Sequence, residues 1–345
     1  MFNGYKTLDE EQIKRLNEKE IYKHHIIRAA SSRKGYIDIL YIDEDGDEMP
    51  DTIEKVSIED MYYIMTGSNL SDEERRKIRR NEENIKVEKI LEKCNSLKRM
   101  NKGDNVLIGR DEIIDLLEES LLKKRMKNTV LLGEAGTGKT KIIEEFASRI
   151  EDNYIVLELT MATAVAGSKY RGEFEEKLEK SLKEVINFNK TNTRKIILFI
   201  DEIHTIYKAG GAEGAIDASN IFKPYLSRGE ITIIGATTLK EYNETIALDP
   251  ALVRRLSPIK IDELDKKSVI QILQDFSENK VDKYFLEYIY DKTKNIKNYS
   301  NPDISIEILD RCMARASRLK IHMNNRIINE IVERFEKLEL VASKA

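Results

Sequence analysis

The 345-residue sequence has two cysteines, no apolar run of membrane-spanning length and little net charge. Cys94 and Cys312 lie far apart and outside any metal-type spacing, so they read as reduced thiols of a cytosolic chain. No stretch approaches the length of a spanning helix, and Met1-Phe-Asn-Gly-Tyr-Lys6 lacks the apolar core of a secretion signal. The 58 basic and 62 acidic side chains cancel to −4. That balance argues against a generally basic nucleic-acid binder and leaves room only for a local basic patch. Internal repeats and low-complexity tracts are also missing. These absences together point to a soluble cytoplasmic protein with no membrane partner.

With 41% apolar residues the chain can bury a sizeable core in two or three domains. Its most informative stretch is Gly133-Glu134-Ala135-Gly136-Thr137-Gly138-Lys139-Thr140, directly after the apolar run Val130-Leu131-Leu132. This is the full phosphate-loop pattern between a strand and a helix. Small residues let the backbone curl so that successive N–H groups face phosphate oxygens, and the following helix adds its positive end. Lys139 would supply a point charge to the β- and γ-phosphates, and Thr140 a hydroxyl to Mg²⁺.

Residues 1–70 read as an α+β accessory region, with a charged helix over about 8–29 and a hairpin built on Tyr36–Ile42. Its acidic tip, Asp43–Glu48, superficially suggests a calcium loop. Tyr41 stands where the first ligand should be Asp, so a solvated tip is the better reading. Ser71 opens a charged helical stretch running to about Met100, and 71–103 reads as a linker. Over 104–262, apolar segments at 129–132, 154–159, 196–200 and 231–235 alternate with amphipathic helices. That alternation predicts an α/β domain whose parallel sheet is sandwiched by helices. Residues 263–345 keep helical periodicity and predict a small helical domain.

Lys195-Ile-Ile-Leu-Phe-Ile-Asp201-Glu202 is a buried strand ending in two carboxylates. Placed beside the phosphate loop, Asp201 would reach the Mg²⁺ shell and Glu202 would polarise the attacking water as a general base.

Gly167–Leu178, Phe199–Thr205 and Gly235–Tyr242 together resemble the first ATPase module of the Clp family of AAA+ unfoldases and disaggregases. The resemblance covers about 104–262 with motifs in the family order, and continues more weakly through Asn301–Asp310, which is similar to a helix of the family's lid. It implies an AAA+ phosphate-loop fold, ATP and Mg²⁺ as cofactors, a homo-hexameric ring and polypeptide substrates. Val106–Glu112, with Ile108 and Gly109, matches the segment flanking the adenine. Tyr170, between Lys169 and Arg171, matches the aromatic pore residue that grips a threaded chain, and 211–220 resembles the second pore segment. Thr238 matches the polar sensor, with Thr237 the lesser candidate. Arg254 and Arg255 match the paired arginines that reach a neighbouring subunit's site.

The sequence also departs from the family pattern. It contains one phosphate loop where the best-known members carry two modules, and nothing after the lid could hold another. It shows no coiled-coil insertion in the lid and no peptidase-docking loop. Leu256 stands where an aromatic residue is usual. Arg311 and Arg315 lie near the place of the lid's arginine sensor, with nothing to choose between them. Residues 1–100 do not resemble the family's N-domain, and would be the place where an adaptor or a larger Clp ring binds. The resulting reading is a Clp-type ATP-driven protein remodeller. The alternatives are a nucleic-acid-linked AAA+ ATPase, supported only by the basic runs Arg75–Arg80 and Lys123–Lys127, and a regulatory subunit of a longer Clp ring.

Overall fold

The computed structural model describes residues 5–6, 11–12, 14–15, 26–31, 37–42, 52–55, 62–63, 68–103, 106–124, 126–165, 171–208, 218–296 and 299–342. The chain divides into two compact units, Met1–Ile85 and Lys86–Ala345.

The first unit contains an antiparallel sheet in sequential order, β1 (Tyr5–Lys6), β2 (Ile26–Ser31), β3 (Ile37–Ile42) and β4 (Thr52–Lys55). The expected hairpin is β3 paired with β4, in register from Ile39 opposite Lys55 to Ile42 opposite Thr52. Its tip lies outside the described residues, and the calcium question with it. The helix expected over 8–29 is corrected at its end. Ile26–Ser31 pairs with β3, and that pairing outweighs local helical preference. Helix Asp72–Lys93 starts as expected at Ser71. The Ser71 hydroxyl accepts from Glu74 N at 3.3 Å, and the Glu74 carboxylate accepts from Ser71 N at 2.9 Å, a reciprocal cap. The helix stops at Lys93, short of the expected Met100, and the division between units falls within it.

The second unit is organised on a six-stranded sheet. Its strands are β5 (Leu97–Arg99), β6 (Asn128–Leu132), β7 (Tyr154–Leu159), β8 (Lys195–Ile200), β9 (Thr232–Thr237) and β10 (Leu256–Lys260). The order across the sheet is β10-β6-β9-β8-β7-β5. Five strands run parallel, and β5, inside the stretch read as a linker, joins antiparallel to the edge of β7. Pro258 sits in β10, an edge strand, where its missing N–H is tolerated. Strands β6 to β9 read as largely apolar runs because both faces are covered, whereas edge strand β10, Leu256-Ser-Pro-Ile-Lys260, does not and was not among the expected strands. Side-chain alternation sorts each run onto two cores. Val130, Leu132, Leu198 and Ile200 face one core with Phe174, Leu178 and Phe222. Leu131, Ile197 and Phe199 face the other with Ile114, Ile142 and Phe146.

The strand ending in Asp201 was expected beside the phosphate loop, but β9 lies between β8 and the loop strand β6. The turn after β8 closes the gap by leaning over β9. Ile203 N donates to Ala236 O at 2.9 Å, and an added Cβ at Gly235 would stand 2.5 Å from Ile203 Cδ1. A glycine inside a strand is therefore the condition for the acidic turn to cross β9.

After β10 the described residues form four helices, Lys266–Phe276, Lys283–Thr293, Asp303–Leu319 and Asn325–Ala342, around their own core. No helix among the described residues is long and apolar enough to cross a membrane.

Candidate nucleotide site

The carboxyl end of β6 opens into a cleft of about 1160 Å³ between the sheet and the helical domain. Sequence chemistry sets its floor. Gly136 (φ 81°) and Gly138 (φ 88°) adopt left-handed conformations that L side chains rarely take, and helix Lys139–Arg149 begins immediately after. Gly133 N donates to Thr237 O at 3.1 Å, which fixes the loop to the end of β9. Lys139 Nζ donates to the Gly133 and Glu134 carbonyls, each at 2.9 Å. Burial is the main cause lowering the Lys139 pKa, opposed by Asp201, Glu134, Glu241 and Glu202. An anionic ligand would therefore meet a cation already surrounded by acceptors.

The acidic side of the cleft is built from two elements far apart in sequence. Thr140 Oγ1 donates to Asp201 Oδ2 at 3.1 Å. Glu202, next along the chain, has φ 49°, an uncommon value for a non-glycine residue. Its N–H donates to Asp201 Oδ1 at 2.9 Å, and both residues line the cleft. Strain of this kind gathers where a functional group must be presented.

Thr238 lines the cleft while capping helix Leu239–Glu244. Its hydroxyl donates to Glu241 Oε2 at 2.9 Å and accepts from Glu241 N at 3.2 Å. The same carboxylate oxygen accepts from Thr237 Oγ1 at 2.9 Å, and His204 Nδ1 lies 2.9 Å from that hydroxyl. Burial tends to raise the Glu241 pKa, but the Thr238 N–H and the two threonine hydroxyls outweigh it, and the net shift is downward. Sequence reading named Thr238 and Thr237, but not the Glu241 and His204 that hold them. The signal was available in Thr238-x-x-Glu241, a capping-box spacing.

Of the expected nucleotide residues, Ile108, Ala135, Gly136, Thr137, Gly138, Lys139, Thr140 and Asp201 line the cleft, while Gly109, Gly133 and Glu134 do not. Gly109 (φ 69°) instead lets its backbone pass Ser268, whose Oγ would stand 2.8 Å from a Cβ there. Arg110 was passed over. Its guanidinium, on a residue only 7% exposed, donates to Thr137 O at 3.0 Å and so ties the segment holding Ile108 to the phosphate loop. Burial lowers its pKa, and nearby Asp262 opposes that shift. Leu264, Ile272, Pro302 and Ile306 give the cleft an apolar wall. Arg311 and Arg315 do not line it; they pair with Glu307 and Glu330 within the helical domain.

Arg254 and Arg255 also lie away from the cleft. They precede β10, where Leu256 stands opposite Asn128 at the start of β6, and the phosphate loop follows the far end of that strand. A five-residue strand spans about 13 Å, so neither arginine serves the cleft of its own chain. Lys169 and Tyr170 lie outside the described residues, as does most of 211–220, and Arg171 begins helix Arg171–Thr191.

A phosphate loop leading a helix, an acidic pair at the end of a parallel strand and a helical domain closing the cleft define a nucleotide-binding ATPase domain of AAA type. Residues 129–262 match the family described as "ATPase family associated with various cellular activities (AAA)". The chain is 41% identical over 274 residues to the chaperone protein ClpB of Aquifex aeolicus, covering 75% of this chain and 26% of that protein. It is also 41% identical over 249 residues to the ATP-dependent Clp protease ATP-binding subunit ClpC of Staphylococcus aureus, covering 68% of this chain and 30% of that one. Among solved structures, the S. cerevisiae Hsp104–ADP complex superposes with a TM-score of 0.61 at 31% identity, covering 71% of this chain and 45% of that chain. The S. cerevisiae Hsp104:casein complex in its extended conformation gives 0.56 at 30% identity, covering 67% and 42%. The chain belongs to the Clp family of AAA+ ATPases. It spans about a quarter to a third of the length of the curated relatives it matches.

Proposed function

We propose that this chain binds ATP with Mg²⁺, hydrolyses it, and uses the cycle to pull on polypeptide as a cytoplasmic ring of six copies. The observation that carries the reading is the Thr140–Asp201 contact with Glu202 beside it, at the mouth of the phosphate loop. A hydroxyl and a carboxylate oxygen 3.1 Å apart fit a small hard cation. Among the described residues no group of three or more His, Cys, Asp or Glu could hold a metal, so phosphate oxygens and water would complete the shell of Mg²⁺. When bound, Mg²⁺ supplies charge neutralisation between the β- and γ-phosphates.

The chain's own groups do the rest. Loop N–H groups and Lys139 hold the phosphates, and Val106, Ile108, Leu264 and Ile306 receive the base. Glu202 accepts the proton of the attacking water. Thr238, fixed by its cap, orients that water or the γ-phosphate. Arg254 and Arg255 enter the cleft of the adjacent copy, where a guanidinium fork complements charge developing on the transferring phosphoryl group. Tyr170, flanked by Lys169 and Arg171, grips the polypeptide by ring contacts that read no sequence. The proposed division is an accessory domain at 1–70, a charged connector at 71–103, the ATPase domain at 104–262 and the lid at 263–345. Residues 1–100 would receive an adaptor or a larger Clp ring.

The test combines light-scattering mass on the Glu202→Gln protein, with and without ATP, and unfolding of a tagged fluorescent substrate by the wild type. An ATP-dependent hexamer that unfolds the substrate supports the reading. A monomer in both conditions, or a ring that hydrolyses ATP and leaves the substrate folded, overturns it.

A further inference from the structure

The turn carrying Arg254 and Arg255 is short, and within it the Arg255 guanidinium donates to the Ala251 carbonyl. It follows a single-turn helix, Pro250–Val253, and four residues are far below the length at which a helix is stable alone. Its own cap, Asp249, and two side chains from other elements, Lys223 and Asn128, hold it. Asp249 caps the helix, with Oδ1 accepting from Ala251 N at 2.9 Å. Its other oxygen accepts from Lys223 Nζ at 2.7 Å. Behind the turn, Asn128 Nδ2 donates to Arg255 O at 3.3 Å while Asn128 Oδ1 accepts from Ile233 N at 2.9 Å.

The Lys223–Asp249 pair differs from the chain's many surface ion pairs. The two side chains are only 29% and 17% exposed, so it is screened less than a fully solvated pair. The bond to Lys223 is also the largest cause of the lowered Asp249 pKa. Apolar packing runs parallel to it, since Phe222 and Leu226 share a small pocket with Leu252 and Leu256. Lys223 lies on helix Ser219–Arg228, so one lysine connects that helix to the arginine turn.

We infer that Lys223 is a positioning residue for Arg254 and Arg255, holding the turn through Asp249 so that the guanidinium groups are correctly placed in the neighbouring subunit's site. This rests on the proposal that the arginines act in trans. Lys223 touches no part of its own cleft. Losing it would loosen the arginine turn while leaving the chain's own ATP binding intact. The phenotype would then belong to the adjacent subunit, which a purely structural role cannot produce.

The experiment uses the full chain and steady-state ATP hydrolysis. Lys223→Met should lower kcat about tenfold or more, with KM for ATP changed less than about twofold. Lys223→Arg should restore kcat. Asp249→Asn, which retains a capping oxygen but not the charge, should reproduce the loss, and the double variant should be no worse than either single one. The decisive step mixes subunits. Glu202→Gln subunits carry an intact arginine turn and no base, so mixing them equally with Lys223→Met subunits should raise activity above the sum of the two separate preparations. Arg254→Ala mixed with Glu202→Gln serves as the reference. If that reference recovers and the Lys223→Met mixture does not, the inference is wrong and the trans reading stands. If neither recovers, the trans reading fails and takes the inference with it. A Lys223→Met protein with wild-type kcat overturns the inference directly.

Discussion

The Thr140 hydroxyl donates to Asp201 across 3.1 Å, although 61 residues and one intervening strand separate the two. The contact joins the phosphate loop to the acidic turn and sets Glu202 at the mouth of the cleft. Glu202→Gln keeps the shape of the side chain and removes its basicity. Nucleotide binding should persist while turnover falls by about 10² to 10⁴. Fluorescent-nucleotide titration beside a phosphate-release assay checks both halves, and undiminished release would remove Glu202 from the base role.

Gly235→Ala should damage the same turn from beneath. The new methyl would stand 2.5 Å from Ile203 Cδ1 and 2.9 Å from its Cγ2, so Ile203 must move and carry the acidic turn with it. Overpacking of this kind costs roughly 1–3 kcal/mol, more than alanine gains over glycine in a strand. Urea unfolding should show the loss and hydrolysis should fall with it. A stabilised, fully active variant would refute the proposed clash.

Arg110→Met retains most of the buried volume and removes the donor to the Thr137 carbonyl. Leaving that acceptor without its partner costs about 1–3 kcal/mol. Affinity for ADP should fall, because the segment holding Ile108 is no longer tied to the phosphate loop. Calorimetric titration with ADP is the check, and unchanged affinity would confine Arg110 to a packing role.

Glu241 gives the acid limb of stability a specific origin. Its folded pKa lies below the ordinary 4.5, because hydrogen bonds from Thr238 and Thr237 outweigh the effect of burial. A depressed carboxylate contributes stability that is present above the unfolded value and lost as pH falls through the folded one. The wild type should therefore exceed Glu241→Gln in stability near neutrality, and the gap should narrow below pH 4.5. Unfolding midpoints across pH measure this; a constant gap would show that the shift has no energetic weight.

Tyr170→Ala tests the threading proposal separately from hydrolysis. Hydrolysis should remain within a few-fold of wild type while unfolding of a tagged fluorescent substrate is lost. Normal unfolding by that variant would exclude an aromatic grip at this position.

The nucleotide site was legible where its chemistry is local. The glycines from 133 to 138 declare a curled backbone, Lys139 and Thr140 follow at fixed offsets, and four of the five parallel strands announce themselves as largely apolar runs, while β10, with Ser257, Pro258 and Lys260, carries no such signal. Helical periodicity after residue 263 likewise marked the four helices that pack around their own core. What could not be read depends on which segments meet. The strand at 26–31 exists because β3 pairs with it, and β9 lies between β6 and β8 because the crossing connections pack that way. Arg110 matters only because folding brings Thr137 O within 3.0 Å, and Lys223 only because Asp249 arrives beside it. Sequence alone determined the conformations and charges that act within a few residues of their own position. Tertiary structure decided the partners, since burial and hydrogen bonding between distant segments are settled only when the sheet and its helices close on one another.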